Sequence, residues 1–193
     1  YAWDDQGNKI EIARVITPFM VWRGDYRYDI DATLFAPLLV GKRKLAVHAG
    51  ANVGRGFLMS VPLTYYRDMK GAPALAQTVG ITNLWNGSAN FQKPEEVKAF
   101  FDTRKVTFPE GATRAIIRIV VTGHGIMEFT SVTRSLTVNG TKHDNTLWKT
   151  DCWLNPYRHQ FGTWKFDRAG GGPGMNVDPW MVAGGLYESQ EVE

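Results

Sequence analysis

Between Arg114 and Thr122 the chain reads Arg-Ala-Ile-Ile-Arg-Ile-Val-Val-Thr, a run in which most side chains branch at Cβ. Such side chains crowd the preceding turn of a helix but stand freely on a pleated strand. The two-residue period puts Ile116, Arg118 and Val120 on one face and Ile117, Ile119 and Val121 on the other. Both faces are mostly apolar, so the run predicts a largely buried strand. Shorter segments of the same character recur at 10–16, 26–30, 44–48, 57–64, 77–84, 106–108, 131–138 and 163–166, separated by Gly, Pro or Asp. Asn139-Gly140 follows one of them and predicts a hairpin, because both residues tolerate positive φ. The exception is Pro94-Glu-Glu-Val-Lys-Ala-Phe-Phe, where a proline and two acids suit a helix start and Val97, Phe100 and Phe101 form one apolar side.

The expected fold class is therefore all-β. The 20 Gly and seven Trp agree with many strands joined by turns. At 193 residues the chain accommodates one large domain or two small ones. The polar, Gly- and Pro-containing stretch between Arg67 and Ala74 is the expected boundary, with a first lobe over 1–70 and a second over 73–193.

The net charge of +3 comes from 22 Lys and Arg that are scattered rather than clustered, so no nucleic-acid partner is expected. No apolar run approaches the roughly 20 residues of a membrane helix, and no membrane association is expected. A single cysteine, Cys152, leaves the redox compartment open.

Ala169-Gly-Gly-Gly-Pro-Gly174 looks like a phosphate loop, but Pro173 removes a donor and neither a helical pattern nor a Lys-Ser/Thr pair follows. A glycine turn is the expected form. His48, His124, His143 and His159 lack the spacing of ligands on one helix, and one cysteine supplies no thiolate cluster, so neither metal nor cofactor is expected. There is no Gly-x-Ser-x-Gly elbow, and Asp151 beside Cys152 does not favour a thiolate. Carboxylates remain. Asp4 follows Trp3, Glu128 follows Ile126-Met127, and Asp167-Arg168 comes shortly after Trp164. Acids beside aromatics can sit in partly dry surroundings that raise their pKa toward neutrality.

The order of segments resembles the peptide-N-glycosidase F (PNGase F) family of glycoasparagine amidases. Trp3-Asp4, Glu11-Ile-Ala-Arg-Val-Ile-Thr-Pro18, Tyr28-Asp-Ile-Asp31 with Leu38-Leu39, Thr122-Gly-His-Gly125, Glu128, Thr133-Arg-Ser-Leu-Thr-Val-Asn-Gly140, Gly162-Thr-Trp-Lys-Phe-Asp-Arg-Ala-Gly170 and Pro173-Gly-Met175 follow its pattern. The resemblance covers about nine tenths of the chain, and Trp-x-x-Asp-Arg-Ala-Gly is its most specific part. It implies two antiparallel jelly-roll sandwiches packed side by side. It also implies metal-free hydrolysis of the amide between N-acetylglucosamine and asparagine in N-glycopeptides or N-glycoproteins, giving a glycosylamine and an aspartate. Asp4 matches the principal catalytic aspartate, Glu128 the second acid that positions water and sugar, and Arg168 the arginine that stabilises charge and fixes the water. Asp167 is expected to orient Arg168, and Trp3, His48, His124, Trp164 and Asp167 to contact substrate. A secreted or periplasmic location goes with such a substrate.

Departures accompany the match. The family places a further acid and an aromatic on the strand that here reads Val47-His48-Ala49-Gly50-Ala51, and an aromatic face is what usually receives a sugar ring. Gly171-Gly172 stands where the family tends to have Trp-Cys, so Cys152 is expected to lack its partner. With Tyr1 almost on Asp4, the opening strand of the first jelly roll is expected to be absent or supplied by a second chain pairing along that edge. These departures keep a non-catalytic glycan-binding or structural module of the same fold as the alternative. The related double jelly rolls of copper-dependent peptide hydroxylases need convergent His and Met ligands, which the His spacing does not offer.

Overall fold

A computed structural model describes residues 1–19, 25–49, 58–66, 77–85, 93–123, 125–184 and 189–192. Among them are the strands β1 (Ala2–Trp3), β2 (Lys9–Ile10), β3 (Arg104–Thr107), β4 (Ala115–Ile119), β5 (Val132–Val138), β6 (Thr141–Leu147), β7 (Trp180–Gly184) and β8 (Ser189–Val192), with one α-helix, α1 (Pro94–Phe100). Among the described residues every strand pairing is antiparallel. The protein is all-β. By internal contacts it divides into two compact units, one of 1–12 with 32–81 and one of 13–31 with 82–193.

In the first unit, β1 and β2 form a hairpin in which Ala2 faces Ile10 and Trp3 faces Lys9. Both members of the first pair are buried, and they pack with Phe35 and Leu38 from a 3-10 turn at Thr33–Leu38. Ala2 also bridges Leu45, and the amino group of Tyr1 donates to the Ala46 carbonyl at 3.0 Å. Of the predicted strand at 44–48 the described ladder keeps only this bridge, and of 10–16 it keeps Ile10 and an isolated bridge at Val15. An alternating pattern makes a chain extended, but a strand exists only where a neighbour supplies hydrogen bonds at the right spacing.

The second unit is built around the β5–β6 hairpin, paired from Val132↔Leu147 to Val138↔Thr141. Its turn is the predicted Asn139-Gly140, with φ of 48° and 77°, the double left-handed geometry of a type I′ turn. β8 joins β3 and the end of β5, giving the order β3-β8-β5-β6, while β4 pairs with β7 in a separate two-stranded sheet. The core here is Leu136, Val138 and Val182, with Ile117, Ile119, Val106 and Trp180 packed against it. β4 is thus the predicted strand in shortened form, and its burial is one-sided: Ile117 and Ile119 reach the core while Ile116 is exposed. Its period-2 pattern is right, but only one of its apolar faces meets a layer. Helix α1 starts on Pro94 with Glu95 and Glu96 in its first turn, where acids complement the dipole.

Residues 163–166 form a turn rather than the expected strand. The Ala169–Gly174 stretch is likewise a turn. At Gly170 the backbone has a φ of 86°, and a Cβ there would lie 2.8 Å from the Thr122 Cα. Both facts require glycine. Buried Asn155 and half-buried Gln160 hold this stretch by donating to the Pro173 carbonyl. The boundary at Arg67–Ala74 and the residues Phe57 and Gly50-Ala51 lie outside the described residues.

Truncating Leu136 to alanine removes the central side chain of the second core and should lower the unfolding free energy by about 3 kcal/mol. The same change at exposed Leu154 should cost under about 0.5 kcal/mol. Urea titrations of the two variants against the parent measure the difference.

Candidate functional site

Residues 168 and 169 are held from both sides. Arg168 bridges Lys149, its N–H donating to the Lys149 carbonyl at 3.1 Å and its carbonyl accepting the Lys149 N–H at 2.8 Å. Ala169 donates to the Glu128 carbonyl at 2.8 Å and accepts the Gly123 N–H at 3.2 Å. Gly123 has no room for a Cβ, which would meet the Met127 carbonyl oxygen at 2.6 Å and the Ala169 Cβ at 2.7 Å. This close backbone approach brings together Glu128 and Arg168, two residues predicted from the sequence to work together.

The Arg168 side chain is almost completely enclosed, the residue being 1% exposed. Its Nη1 donates to Glu128 Oε1, its Nη2 to the carbonyl and the hydroxyl of Thr163, and its Nε to the Phe166 carbonyl at 3.2 Å. The Phe129 ring lies over the guanidinium at 5.0 Å. Burying a guanidinium is expensive unless its donors are satisfied and its charge is compensated, and these contacts do both. The Glu128 side chain is 31% exposed, and among the described residues its Oε2 has no hydrogen-bond partner. The pair therefore presents one carboxylate oxygen, oriented by a buried cation, to whatever approaches. Such an oxygen can hold a water or a sugar hydroxyl by a charge-assisted hydrogen bond and accept its proton.

Asp4 lies in the first unit, in the turn between β1 and β2. Its Oδ1 accepts the backbone N–H of Gln6 at 3.0 Å and of Asn8 at 2.7 Å, and its Oδ2 accepts the Asn8 amide at 2.8 Å. The side-chain bond from Asn8 is the largest influence on its pKa; desolvation opposes it, and the backbone bonds from Asn8, Gln6 and Gly7 add to it, so that the carboxyl is held below the ordinary aspartate range. The expectation that acids beside aromatics sit high is thus reversed here, because local N–H donors stabilise the charged form.

The other predicted residues are dispersed. Trp3 lies under the Lys44 ammonium at 4.4 Å and His48 is exposed, both in the first unit. Trp164 is half-buried and Asp167 exposed in the second, and His124 lies outside the described residues. None of the Arg168 hydrogen bonds goes to Asp167, so the orientation expected from that residue comes instead from Thr163 and Phe166. Cys152 is buried and unpaired, and burial raises its thiol pKa against the opposing charges of Arg168 and Lys149.

Sequence reasoning missed Thr163, Phe129 and Lys149. Thr163 lies within the Gly162–Gly170 segment and Phe129 adjoins Glu128, but nothing local says that they face a guanidinium. Lys149 also contributes to a cleft of about 240 Å³ with Arg27, Tyr28, Asp29, Asn176 and Asp178. Its ammonium is partly desolvated, which alone would lower its pKa, but the hydrogen bond and charge of Asp178 and the charge of Asp151 raise it. The cations of this cleft are paired internally, Arg27 with Asp29 and Lys149 with Asp178.

Residues 90–191, more than half of the chain, match the family model described as peptide-N-glycosidase F, C terminal. No curated protein matches the chain. Two solved structures of PNGF-II, in space groups C2 and P21, are similar over 46% and 47% of this chain, with 20% and 21% identity and a TM-score of 0.34 each. The chain spans 18% and 20% of the length of those proteins.

Two measurements check the geometry. The Asp4 carboxyl, followed by carbon-detected NMR, should titrate below about 3.9, the value of an unperturbed aspartate, and Asn8→Ala should move it back up. Since the folded pKa is the lower one, the hairpin stabilisation it reports is present above the unfolded pKa and fades as pH falls through the folded value. At Gly172, a Cβ would stand 3.7 Å from the Cys152 Cβ and 3.5 Å from its Sγ, the separation of a disulfide, though 3.1 Å from the Trp164 carbonyl oxygen. Gly172→Cys should therefore consume the titratable thiol on oxidation and raise stability by up to about 3 kcal/mol, read from thiol titration and from melting with and without reductant.

Proposed function

Because the chain belongs to the peptide-N-glycosidase F C-terminal family, we propose that it takes part in hydrolysis of the amide joining N-acetylglucosamine to asparagine in N-glycopeptides or N-glycoproteins. The observation that carries this reading is the Glu128 carboxylate, with Oε1 on the buried Arg168 guanidinium and Oε2 unpartnered among the described residues. In the proposed reaction Oε2 holds the water or a sugar hydroxyl while Asp4 accepts a proton from, or hydrogen-bonds, the water or hydroxyl near the scissile amide, the proton passing on to the departing nitrogen. Water adds to the asparagine side-chain carbonyl, the C–N bond breaks, and the nitrogen leaves with the sugar as a glycosylamine while the side chain becomes aspartate. Arg168 holds Glu128 in place. No metal or other cofactor has a part in the scheme.

The finer features belong to the same proposal. They are substrate contacts by Trp3, His48, His124, Trp164 and Asp167, two jelly rolls over 1–70 and 73–193, a second chain completing the first of them, and a secreted or periplasmic location. The jelly-roll division must accommodate residues 13–31, which pack with the C-terminal residues. Among the described residues no helix is long and apolar enough to cross a membrane.

One observation favours the alternative of a non-catalytic glycan-binding or structural module. Asp4 spends its carboxylate on its own turn, and its lowered pKa makes it a weaker base than catalysis near neutrality prefers. The two readings separate on incubation of the folded chain with a denatured N-glycoprotein. Hydrolysis predicts released glycan together with conversion of the linkage asparagine to aspartate. Glu128→Gln should then lower kcat by about 100-fold or more, and Asp4→Ala should abolish turnover with the far-UV spectrum unchanged. A well-folded preparation that releases no glycan sinks the amidase reading.

A further inference from the structure

Thr163 stands five residues before Arg168, and both its oxygens face the guanidinium. Its carbonyl accepts from Nη2 and also from the Phe166 N–H at 3.1 Å, while its hydroxyl accepts from the same Nη2 at 3.1 Å. The carbonyl is therefore shared, and the hydroxyl is the acceptor that Arg168 has to itself. All three nitrogens of the guanidinium are engaged: Nε by Phe166, Nη2 by both oxygens of Thr163, and Nη1 by Glu128. The Phe166 and Thr163 contacts fix the plane of the fork, so the direction of Nη1, and with it the seat of Glu128 Oε1, follows from them.

We propose that Thr163 is a positioning residue for the Glu128 carboxylate, acting through Arg168. Without the hydroxyl, Nη2 keeps one shared acceptor, the guanidinium rotates more freely about its Nε–Cζ bond, and Glu128 loses a fixed partner. The geometric part of this stands on the hydrogen bonds alone. Its catalytic consequence rests on the hydrolytic reading given above.

Thr163→Val removes the hydroxyl and keeps the shape, and Thr163→Ser keeps the hydroxyl. In arginine side-chain NMR the Arg168 Nη protons should be resolved in the parent and in Thr163→Ser, and should broaden or merge in Thr163→Val. With a glycopeptide substrate, Thr163→Val should lower kcat about fivefold to tenfold at unchanged KM, the loss expected for one ordinary hydrogen bond. Thr163→Ser should restore it, and in an Arg168→Lys background the Thr163→Val effect should vanish. Unchanged Arg168 signals in Thr163→Val overturn the proposal. So does a change in those signals without a change in kcat, or an undiminished Thr163→Val effect in the Arg168→Lys background. A parent protein that releases no glycan removes the hydrolytic reading, and with it the catalytic consequence, while the NMR comparison still decides whether Thr163 holds Arg168.

Discussion

A guanidinium taken almost wholly out of water has to find its donors' partners within the fold; those of Arg168 come from two separate stretches of chain, and a third holds its backbone. Glu128 supplies the counter-charge, the Thr163–Phe166 turn supplies neutral oxygens, and Lys149 clamps the backbone. Removing the counter-charge from such an arrangement typically costs several kcal/mol, because a buried cation is left behind. The glycines nearby follow from the same constraint. Gly123 and Gly170 let the backbones of 122–123 and 169–170 approach closely enough for Ala169 to bond both Glu128 and Gly123.

The two acids of the proposed reaction are held in opposite ways. Glu128 is oriented by a long-range partner and leaves one oxygen unpartnered among the described residues. Asp4 is oriented by residues two and four positions along the chain, which satisfy both its oxygens within the β1–β2 turn. An acceptor saturated by local N–H donors is a stable anion and a reluctant base. A base near neutrality would need those donors drawn away, or a substrate that competes for them.

Features governed by neighbours in sequence were legible. Pro94-Glu-Glu announced α1 because proline fits the first helical turn and acids suit its dipole. Asn139-Gly140 announced the β5–β6 turn because each accepts positive φ. The 114–122 run announced β4 through its β-branched residues. The 10–16 and 44–48 segments carried similar composition and became little more than bridges, since composition sets extension and not partnership. β7 and β8 escaped notice for the converse reason. They become strands by pairing with β4, and with β3 and β5, more than 50 residues away.

Of the pair Glu128 and Arg168, the sequence by itself determined that a carboxylate and a guanidinium with this order of motifs were present, and the all-β character that surrounds them. Local chemistry decides such things, through Cβ branching, turn residues and motif order. Tertiary structure alone decided that Arg168 is buried, that it bonds Thr163 rather than Asp167, and that Asp4 is capped by its own hairpin. Hydrogen bonds follow distance and direction in space, and a buried donor takes whichever acceptor the fold brings within reach, however the residues are spaced along the chain.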